Sequence, residues 1–259
     1  MPIARPILSL AALLLLAGGI VMEFLIVLSG SHVGSPTNQV YFLQAATGGI
    51  KNGNSQYQNP ARWTYLSVCG VGNGLNQNCG PTHAAQSFDP PLNFGTTTGV
   101  PSAFIGTTRY YLLSRFTWAF YIVALFFAVM AFFLGFLALC TRLGAYLTGM
   151  MSILALFFQT LTAALMTAWT VLARNAFQSN GQTAFLGLKA YAFTWGAMGC
   201  FLIATILFCV GGSVGKKDNY QQKSGRTSYF GRKKSTRSTR SRGSFIDSES
   251  QRRVKDEYE

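Results

Sequence analysis

Four long apolar runs constrain this chain more than any other feature. They cover Ile7–Leu28, Phe116–Leu139, Tyr146–Ala173 and Ala190–Gly212, and Glu23 is the only charged residue in them. Each has at least about 20 residues, enough to cross roughly 30 Å of hydrocarbon as a helix. Because hydrocarbon offers no water to backbone amides, such runs must form helices. The sequence therefore predicts an all-α membrane protein with a four-helix bundle.

The distribution of charge predicts the orientation. The chain carries a net charge of +13, and after Gly212 thirteen Lys and Arg residues face six Asp and Glu residues. Arg5 and Arg142 fall on the same side of the predicted spans. Positive residues near spans stay in the cytosol, so both termini are predicted to be cytosolic. An uncleaved first span is favoured over a signal peptide, since no clean cleavage site follows it.

The predicted division of the chain follows from these spans. It comprises a cytosolic N-terminus (1–6), span one (7–28), an extracellular loop (29–115), span two (116–139), a cytosolic turn (140–145), span three (146–173), a second extracellular loop (174–189), span four (190–212) and a disordered basic cytosolic tail (213–259).

Two of the five cysteines lie in the long predicted loop. Cys69 and Cys79 alone would see an oxidising compartment on this topology, so they are predicted to form a disulfide. A pair of free reactive thiols is the competing interpretation. The stretch Gly70–Gly74 between them is interpreted as a flexible turn. Trp63 is interpreted either as a ring packed over the bridge or as an ordinary core tryptophan.

The order of motifs in this loop is distinctive. It begins Arg62-Trp63-Thr64-Tyr65, continues with Cys69-Gly70, Cys79 and Asp89–Phe94, and reaches span two through Arg109–Phe116. This order resembles the fungal Sur-seven/PalI family of four-span plasma-membrane proteins. The residues that carry the resemblance are Trp63, Cys69, Cys79, Tyr110, Tyr111, Ser114, Arg115 and Phe116.

The resemblance implies a structural organiser of the furrow-like plasma-membrane domains called eisosomes. It also implies links to cell-wall integrity, endocytosis and cortical actin, with BAR-domain coat proteins as partners. A membrane sensor of the PalI ambient-pH type is the alternative function. The tryptophan and paired cysteines are shared with claudin-like folds. Claudins space them as W-x-x-C, whereas five residues separate Trp63 from Cys69, so a small claudin-like sheet is left open.

Two polar side chains fall within the predicted spans. Glu23 is expected to play a structural role, near water or paired with Arg115, Arg174 or Lys189, and ion or proton transport is the alternative. Gln159 is expected to form a hydrogen bond between helices.

Small residues recur along three spans and predict close helix packing within one chain, with homo-oligomerisation as the alternative. They are Ala124, Ala128, Ala131 and Gly135; Thr160, Ala164 and Ala168; and Ala192, Gly196, Cys200 and Ala204.

The tail interleaves basic residues with Ser and Thr, which favours binding to anionic phosphoinositides. The basic residues of this cluster are Arg226, Arg232, Lys233, Lys234, Arg237, Arg240 and Arg242. Phosphorylation would reverse the attraction, and the candidate sites are Ser228, Ser235, Ser238 and Ser244. A solvated tail that only enforces topology is the alternative, and a nucleic-acid role is not expected. Cys140 and Cys209 are weighed as palmitoylation sites against packing residues.

No pattern predicts an enzyme. The two histidines, His32 and His83, lie far apart in the loop, and no nucleophile-base, phosphate-binding or dinucleotide motif occurs. No catalytic residue, metal or cofactor is therefore predicted, and the partner on the cell-wall side is left unnamed.

Overall fold

The computed structural model describes residues 4–50 and 59–214. Four of its helices are long and apolar enough to cross a membrane. They are α1 (Ala4–Val27), α3 (Arg109–Cys140), α4 (Arg142–Ser179) and α5 (Leu188–Val214), and α2 (Pro90–Phe94) is a short helix between α1 and α3. The predicted fold class is confirmed, with a small antiparallel sheet added to the helices.

The helices run beyond the apolar stretches. α3 begins at Arg109 rather than at residue 116, and α4 continues to Ser179 rather than residue 173. Only Thr141 separates α3 from α4, where the sequence suggested a turn over 140–145. Hydropathy marks where charged residues begin, but a helix continues past that point because many polar residues are good helix formers. The membrane boundaries themselves stay a prediction.

Close packing between helices uses small residues on α3. Ala124, Ala128 and Ala131 are fully buried. A Cβ on Gly135 would come within 2.4 Å of Leu13 Cδ2, so the Leu13 side chain of α1 packs directly on the backbone of α3 there. The predicted small-residue face of span two therefore lies inside the bundle.

The small-residue face expected on span three is not the buried face, and the face expected on span four is buried only in part. Thr160, Ala164 and Ala168 are exposed on α4. On α5 Ala192 is exposed, Gly196 and Cys200 are half-buried and Ala204 is fully buried. The buried face of each helix lies mainly at other positions; on α4 it includes Ala155, Gln159, Ala163 and Met166, and on α5 it includes Ala190, Thr194, Ala197 and Phe201. Both helices carry small residues on more than one face, so spacing alone did not select the buried one.

A five-stranded antiparallel sheet lies in the connections between helices. Its order is β4-β3-β2-β1-β5. The strands are β1 (Leu43–Ala45), β2 (Ala61–Trp63), β3 (Val68–Gly72), β4 (Leu75–Gln77) and β5 (Ala184–Leu186). Leu43 pairs with Trp63 on one side and with Leu186 on the other. The second connection thus adds a strand to the first, and we call residues 37–50, 59–108 and 180–187 the sheet domain.

The glycine-rich stretch between the cysteines is a hairpin, not a flexible turn. Gly70 and Gly72 belong to β3 and pair with β4. The turn is Asn73-Gly74, and both residues have positive φ (51° and 76°). Asn-Gly suits this conformation and is a strong hairpin signal, which the interpretation of Gly70–Gly74 as loosely structured overlooked.

The tight connection between α3 and α4 yields the first prediction. Thr141 Oγ1 accepts a hydrogen bond from Gly144 N (3.0 Å). A Cβ on Gly144 would lie 2.5 Å from the backbone carbon of Leu137, which cannot move aside. We expect Gly144→Ala to destabilise the protein by about 1–3 kcal/mol through overpacking. A lower midpoint of thermal unfolding in detergent measures this.

Gly149 provides the matched control on the same helix. A Cβ at Gly149 meets no atom within 4 Å. Gly149→Ala should keep or raise the midpoint, because alanine favours a helix by about 1 kcal/mol over glycine. Equal midpoints for the two variants would contradict the close approach at Gly144.

Candidate functional site

The disulfide braces the hairpin of the sheet domain. Cys69 in β3 is bonded to Cys79, two residues beyond β4. Cys69 is fully buried, and the Gly80 amide donates to the carbonyl of Val68 (2.9 Å) beside the bridge. The predicted pairing is therefore present, and the alternative of two free thiols is not what the structure shows.

Trp63 does not pack over the bridge. It pairs with Val68, whereas Cys69 pairs with Arg62, so strand alternation puts the indole and the disulfide on opposite faces. The indole is buried among Phe88, Phe94 and Phe177, with ring centroids 5.1, 5.9 and 5.7 Å away. Its Nε1 donates to Asn93 Oδ1 (2.9 Å). The interpretation of a core tryptophan is the correct one.

Arg62 is a buried side chain that links several parts of the sheet through hydrogen bonds. Its Nε donates to Gln44 Oε1 (2.8 Å), and its Nη1 donates to the carbonyl of Gly74 (2.9 Å) and to Asn76 Oδ1 (3.1 Å). The Tyr41 ring covers the guanidinium at 4.0 Å. Burial lowers the pKa of Arg62 from its ordinary value, but a guanidinium stays charged at neutral pH. One side chain thus joins β1, the hairpin turn and β4.

The β2–β3 connection docks onto the end of α1. Tyr65 N donates to Ser29 Oγ (3.2 Å), and Ser67 Oγ donates to the carbonyl of Gly30 (2.9 Å). Gly30 has φ +82°, and a Cβ there would lie 2.0 Å from Thr64 Oγ1. The close approach therefore requires glycine.

Tyr65 joins the sheet domain to the bundle. Its buried ring lies 4.1 Å from that of Phe42 and 5.4 Å from that of Tyr121 on α3. Burial raises the pKa of the Tyr65 phenol well above its ordinary value, so the phenol is neutral at physiological pH.

The motif residues at the start of α3 lie on two faces of the helix, one buried and one exposed. Tyr110 and Ser114 point inward: Ser114 Oγ accepts a hydrogen bond from Phe88 N (2.9 Å), and Tyr110 packs on Phe104 at 4.9 Å. Arg115 and Phe116 are exposed, and the Arg115 guanidinium donates to the hydroxyl of Tyr111. Helical spacing brings these pairs together, because residues four apart share a face.

Glu23 does not form the expected ion pair. It is fully buried, and neither carboxylate oxygen has a hydrogen-bond partner among the described residues. The three candidate cations bind other groups: Arg115 binds Tyr111, Arg174 binds Asn175, and Lys189 binds Gln39. The prediction failed because depth along a helix does not say which way a side chain faces.

Polar bonds link the helices beneath the sheet domain. Gln159 Nε2 on α4 donates to the carbonyl of Thr194 on α5 (3.0 Å), which is the kind of helix-to-helix bond expected for Gln159. Thr194 Oγ1 also lies 2.5 Å from the hydroxyl of Tyr121 on α3. Nearer the other end of the bundle, Ser152 Oγ lies 2.8 Å from Thr205 Oγ1. These bonds fix the mutual position of three helices.

Several predicted site residues lie outside the described residues. The basic cluster between Arg226 and Arg242 and the four candidate phosphorylation sites fall beyond the described residues. Cys209 is exposed on α5, and the side chain of Cys140 is outside the description.

Sequence reasoning assigned no role to Arg62 or Asn93 and did not find the contact of Tyr65 with α1. Their only signal was the motif itself, since an arginine beside a tryptophan in a short strand does not reveal its partners.

Comparison with known proteins decides the family. The sequence profile of the SUR7/PalI family matches residues 8–207. The chain belongs to the SUR7/PalI family. It is 37% identical over 200 residues to Protein SUR7 of Candida albicans, which covers 77% of this chain and 72% of that protein. The residues matched by the profile contain α3, α4 and the sheet domain, together with most of α1 and α5.

Two proteins of Saccharomyces cerevisiae support the same membership. SUR7 family protein FMP45 is 36% identical over 201 residues, covering 76% of this chain and 64% of that protein. The plasma membrane protein YNL194C is 31% identical over 212 residues, covering 80% of this chain and 69% of that protein. The chain thus spans about two thirds of these SUR7-family relatives, and it is a multi-pass membrane protein of that family.

The disulfide provides a direct prediction for the SUR7-family fold. Cys69→Ser opens a bridge that spans 10 positions of sequence. We expect a loss of about 2–3 kcal/mol of stability, because the unfolded chain gains entropy. The thermal midpoint of the purified protein should fall, and the Cys69→Ser/Cys79→Ser double variant should fall by the same amount.

Cys200→Ser is the control, since Cys200 is a partly buried free cysteine on α5. Its midpoint should change little. A Cys69→Ser protein with an unaltered midpoint, and no gel shift of the parent on reduction, would show that the bridge does not form.

Arg62 provides a second prediction for the sheet domain. Arg62→Lys keeps the charge but loses the planar fork that reaches three partners. We expect about 2 kcal/mol of destabilisation from buried acceptors left unpaired. Hydrogen exchange of the sheet-domain amides, followed by mass spectrometry, should become faster.

Arg109→Lys serves as the matched control, because Arg109 is exposed. It should leave the exchange rates unchanged. Similar exchange in the two variants would mean that Arg62 does not tie the strands together.

Proposed function

We propose that the protein is a structural organiser of plasma-membrane domains, a component of eisosomes, and not an enzyme. The observation that carries this is a sheet domain packed onto a four-helix bundle through one continuous apolar core. The interhelical polar contacts described above join helices to one another, while apolar side chains such as Leu14, Phe126 and Phe157 face outward, where lipid would lie. Membership of the SUR7/PalI family and likeness to a protein named for the plasma membrane support the location.

The proposed orientation puts the sheet domain outside the cell. A structural disulfide persists in an oxidising compartment, and the bridge of Cys69 with Cys79 lies in this domain. Both termini are then cytosolic, in line with the basic tail. In this arrangement the sheet domain faces the cell wall, which agrees with the proposed roles in cell-wall organisation, endocytosis and cortical actin.

The tail is proposed to bind the cytosolic face of the plasma membrane. Its seven clustered basic residues would each contribute about 1 kcal/mol against an anionic leaflet, where phosphoinositides and a BAR-domain coat are the proposed partners. Phosphorylation of the neighbouring serines adds about −1.5 to −2 charge per site and would release it.

Live imaging tests the proposal. A copy of the full chain tagged at its C-terminus, expressed in a fungal cell, should form cortical patches that overlap a BAR-domain coat. Fluorescence in these patches should recover slowly after photobleaching, because the protein is held in a static domain. A diffuse signal with rapid recovery would reject the organiser role.

A tail variant sharpens this experiment. Changing the seven basic residues from Arg226 to Arg242 to Gln should weaken patch retention. Changing Arg252, Arg253 and Lys255 to Gln removes charge outside the cluster and should leave the patches intact. Retention that is equal in both variants would exclude a specific role for the cluster.

A further inference from the structure

A cavity lies where the sheet domain meets the start of α3. Its volume is about 580 Å³, within the range of about 300–1,000 Å³ typical of ligand sites. The turn at residues 83–87 and helix α2 form one wall, and Tyr111 and Arg115 form the other. The family motif at the start of α3 therefore supplies two side chains to the wall of this cavity.

Arg115 is the charged group of this cavity. Its guanidinium lies 5.2 Å from the centre of the Tyr111 ring and donates to the Tyr111 hydroxyl. Both contacts hold the guanidinium in place without neutralising its positive charge. Among the described residues no carboxylate pairs with Arg115. The nearby Asp89 carboxylate instead accepts from Leu92 N at the start of α2.

The surrounding charge favours an anion. Asp89 is the only acidic residue between Ser29 and Lys189. Besides Tyr111 and Arg115, the polar side chains at the cavity wall are those of His83, Gln86, Ser87 and Asn93, and none of them is acidic. A fixed guanidinium with adjacent hydrogen-bonding groups matches a phosphate, which arginine binds through two parallel hydrogen bonds.

The cavity also has an apolar edge. Leu92 lines it and is 64% exposed. Leu112 and Phe116 do not line the cavity, but they are 46% and 55% exposed on α3, three residues before and one residue after Arg115. Below them α3 continues as a candidate membrane span. Arg115 therefore lies where a polar cavity meets the apolar surface of a helix. A membrane lipid presents the same arrangement, because its polar headgroup is joined to apolar acyl chains.

We propose that this cavity binds the phosphate headgroup of a membrane lipid, with Arg115 on the phosphate and the acyl chains along Leu112 and Phe116 of α3. Tyr111 acts as a positioning residue that orients the guanidinium. A free phosphate carries the same charge but has no apolar part to contact the exposed leucine and phenylalanine side chains. A lipid is therefore the occupant that matches both the guanidinium and the apolar surface beside it. The site does not depend on the proposed role in membrane domains, since it rests on the local geometry alone.

Photocrosslinking of the full-length protein tests this proposal. The protein is reconstituted in phosphatidylcholine nanodiscs with a small share of phosphatidylinositol that carries a photoreactive diazirine on one acyl chain. After illumination and digestion, mass spectrometry should find crosslinks on α3 around residues 112–123. Arg115→Gln should reduce this crosslinked peptide about tenfold, the factor that corresponds to about 1.4 kcal/mol. Arg115→Lys should restore part of it.

Arg109→Gln is the matched control, because Arg109 is an exposed arginine on the same helix that does not line the cavity. It should leave the α3 crosslinks unchanged, and Tyr111→Phe should reduce them less than Arg115→Gln. The yield of the crosslinked peptide is compared only among variants whose thermal midpoints equal that of the parent, so that a misfolded protein is not counted. Crosslinks confined to the tail are assigned to the tail and do not support the site.

Three outcomes would overturn the proposal. The first is an unchanged α3 signal in Arg115→Gln, and the second is an equal loss in Arg109→Gln, which would mean a general effect of charge. The third separates the two sources of phosphate. Competition by soluble glycerol phosphate at the concentration of the lipid would show a free-anion site, whereas its failure to compete supports the lipid.

Discussion

The aromatic cluster between the sheet and the helix ends holds the two halves of the structure together. Trp63 on β2, Phe88 before α2, and Trp169 and Phe177 on α4 lie in one buried group. The rings of Phe88 and Trp169 are 5.2 Å apart, and those of Trp63 and Phe177 are 5.7 Å apart. A three-residue strand is too short to be stable alone. Packing against α4 therefore supplies the stability that lets these strands form.

Two further features depend on that contact. The disulfide and Arg62 lie on the opposite face of the strands from the aromatic core. The disulfide braces the hairpin of β3 and β4, and Arg62 joins β2 to β1 and β4. Tyr65 and Ser67 anchor the same connection to the end of α1. The sheet domain is thus fixed at several points to different helices.

The motif that carried the family resemblance serves two purposes in the structure. Tyr110 and Ser114 complete the aromatic core, and Tyr111 and Arg115 form the wall of an exposed cavity. The first pair is buried, whereas the Arg115 guanidinium is exposed and its contacts described above are with Tyr111 on the same helix. The two halves of one seven-residue motif therefore separate a structural role from the proposed role in lipid binding.

The sequence by itself determined the four apolar helices, the membership of a membrane-protein class and the one plausible disulfide, because length, hydropathy and compartment limit these choices strongly. Asn73-Gly74 also carried a hairpin signal that local chemistry explains. Only the tertiary structure decided which faces of α4 and α5 are buried, that Trp63 turns away from the bridge, that Glu23 meets no cation among the described residues and that β5 joins β1. Each of these depends on contacts between residues far apart in the chain, and a spacing rule along one helix or strand contains no information about them.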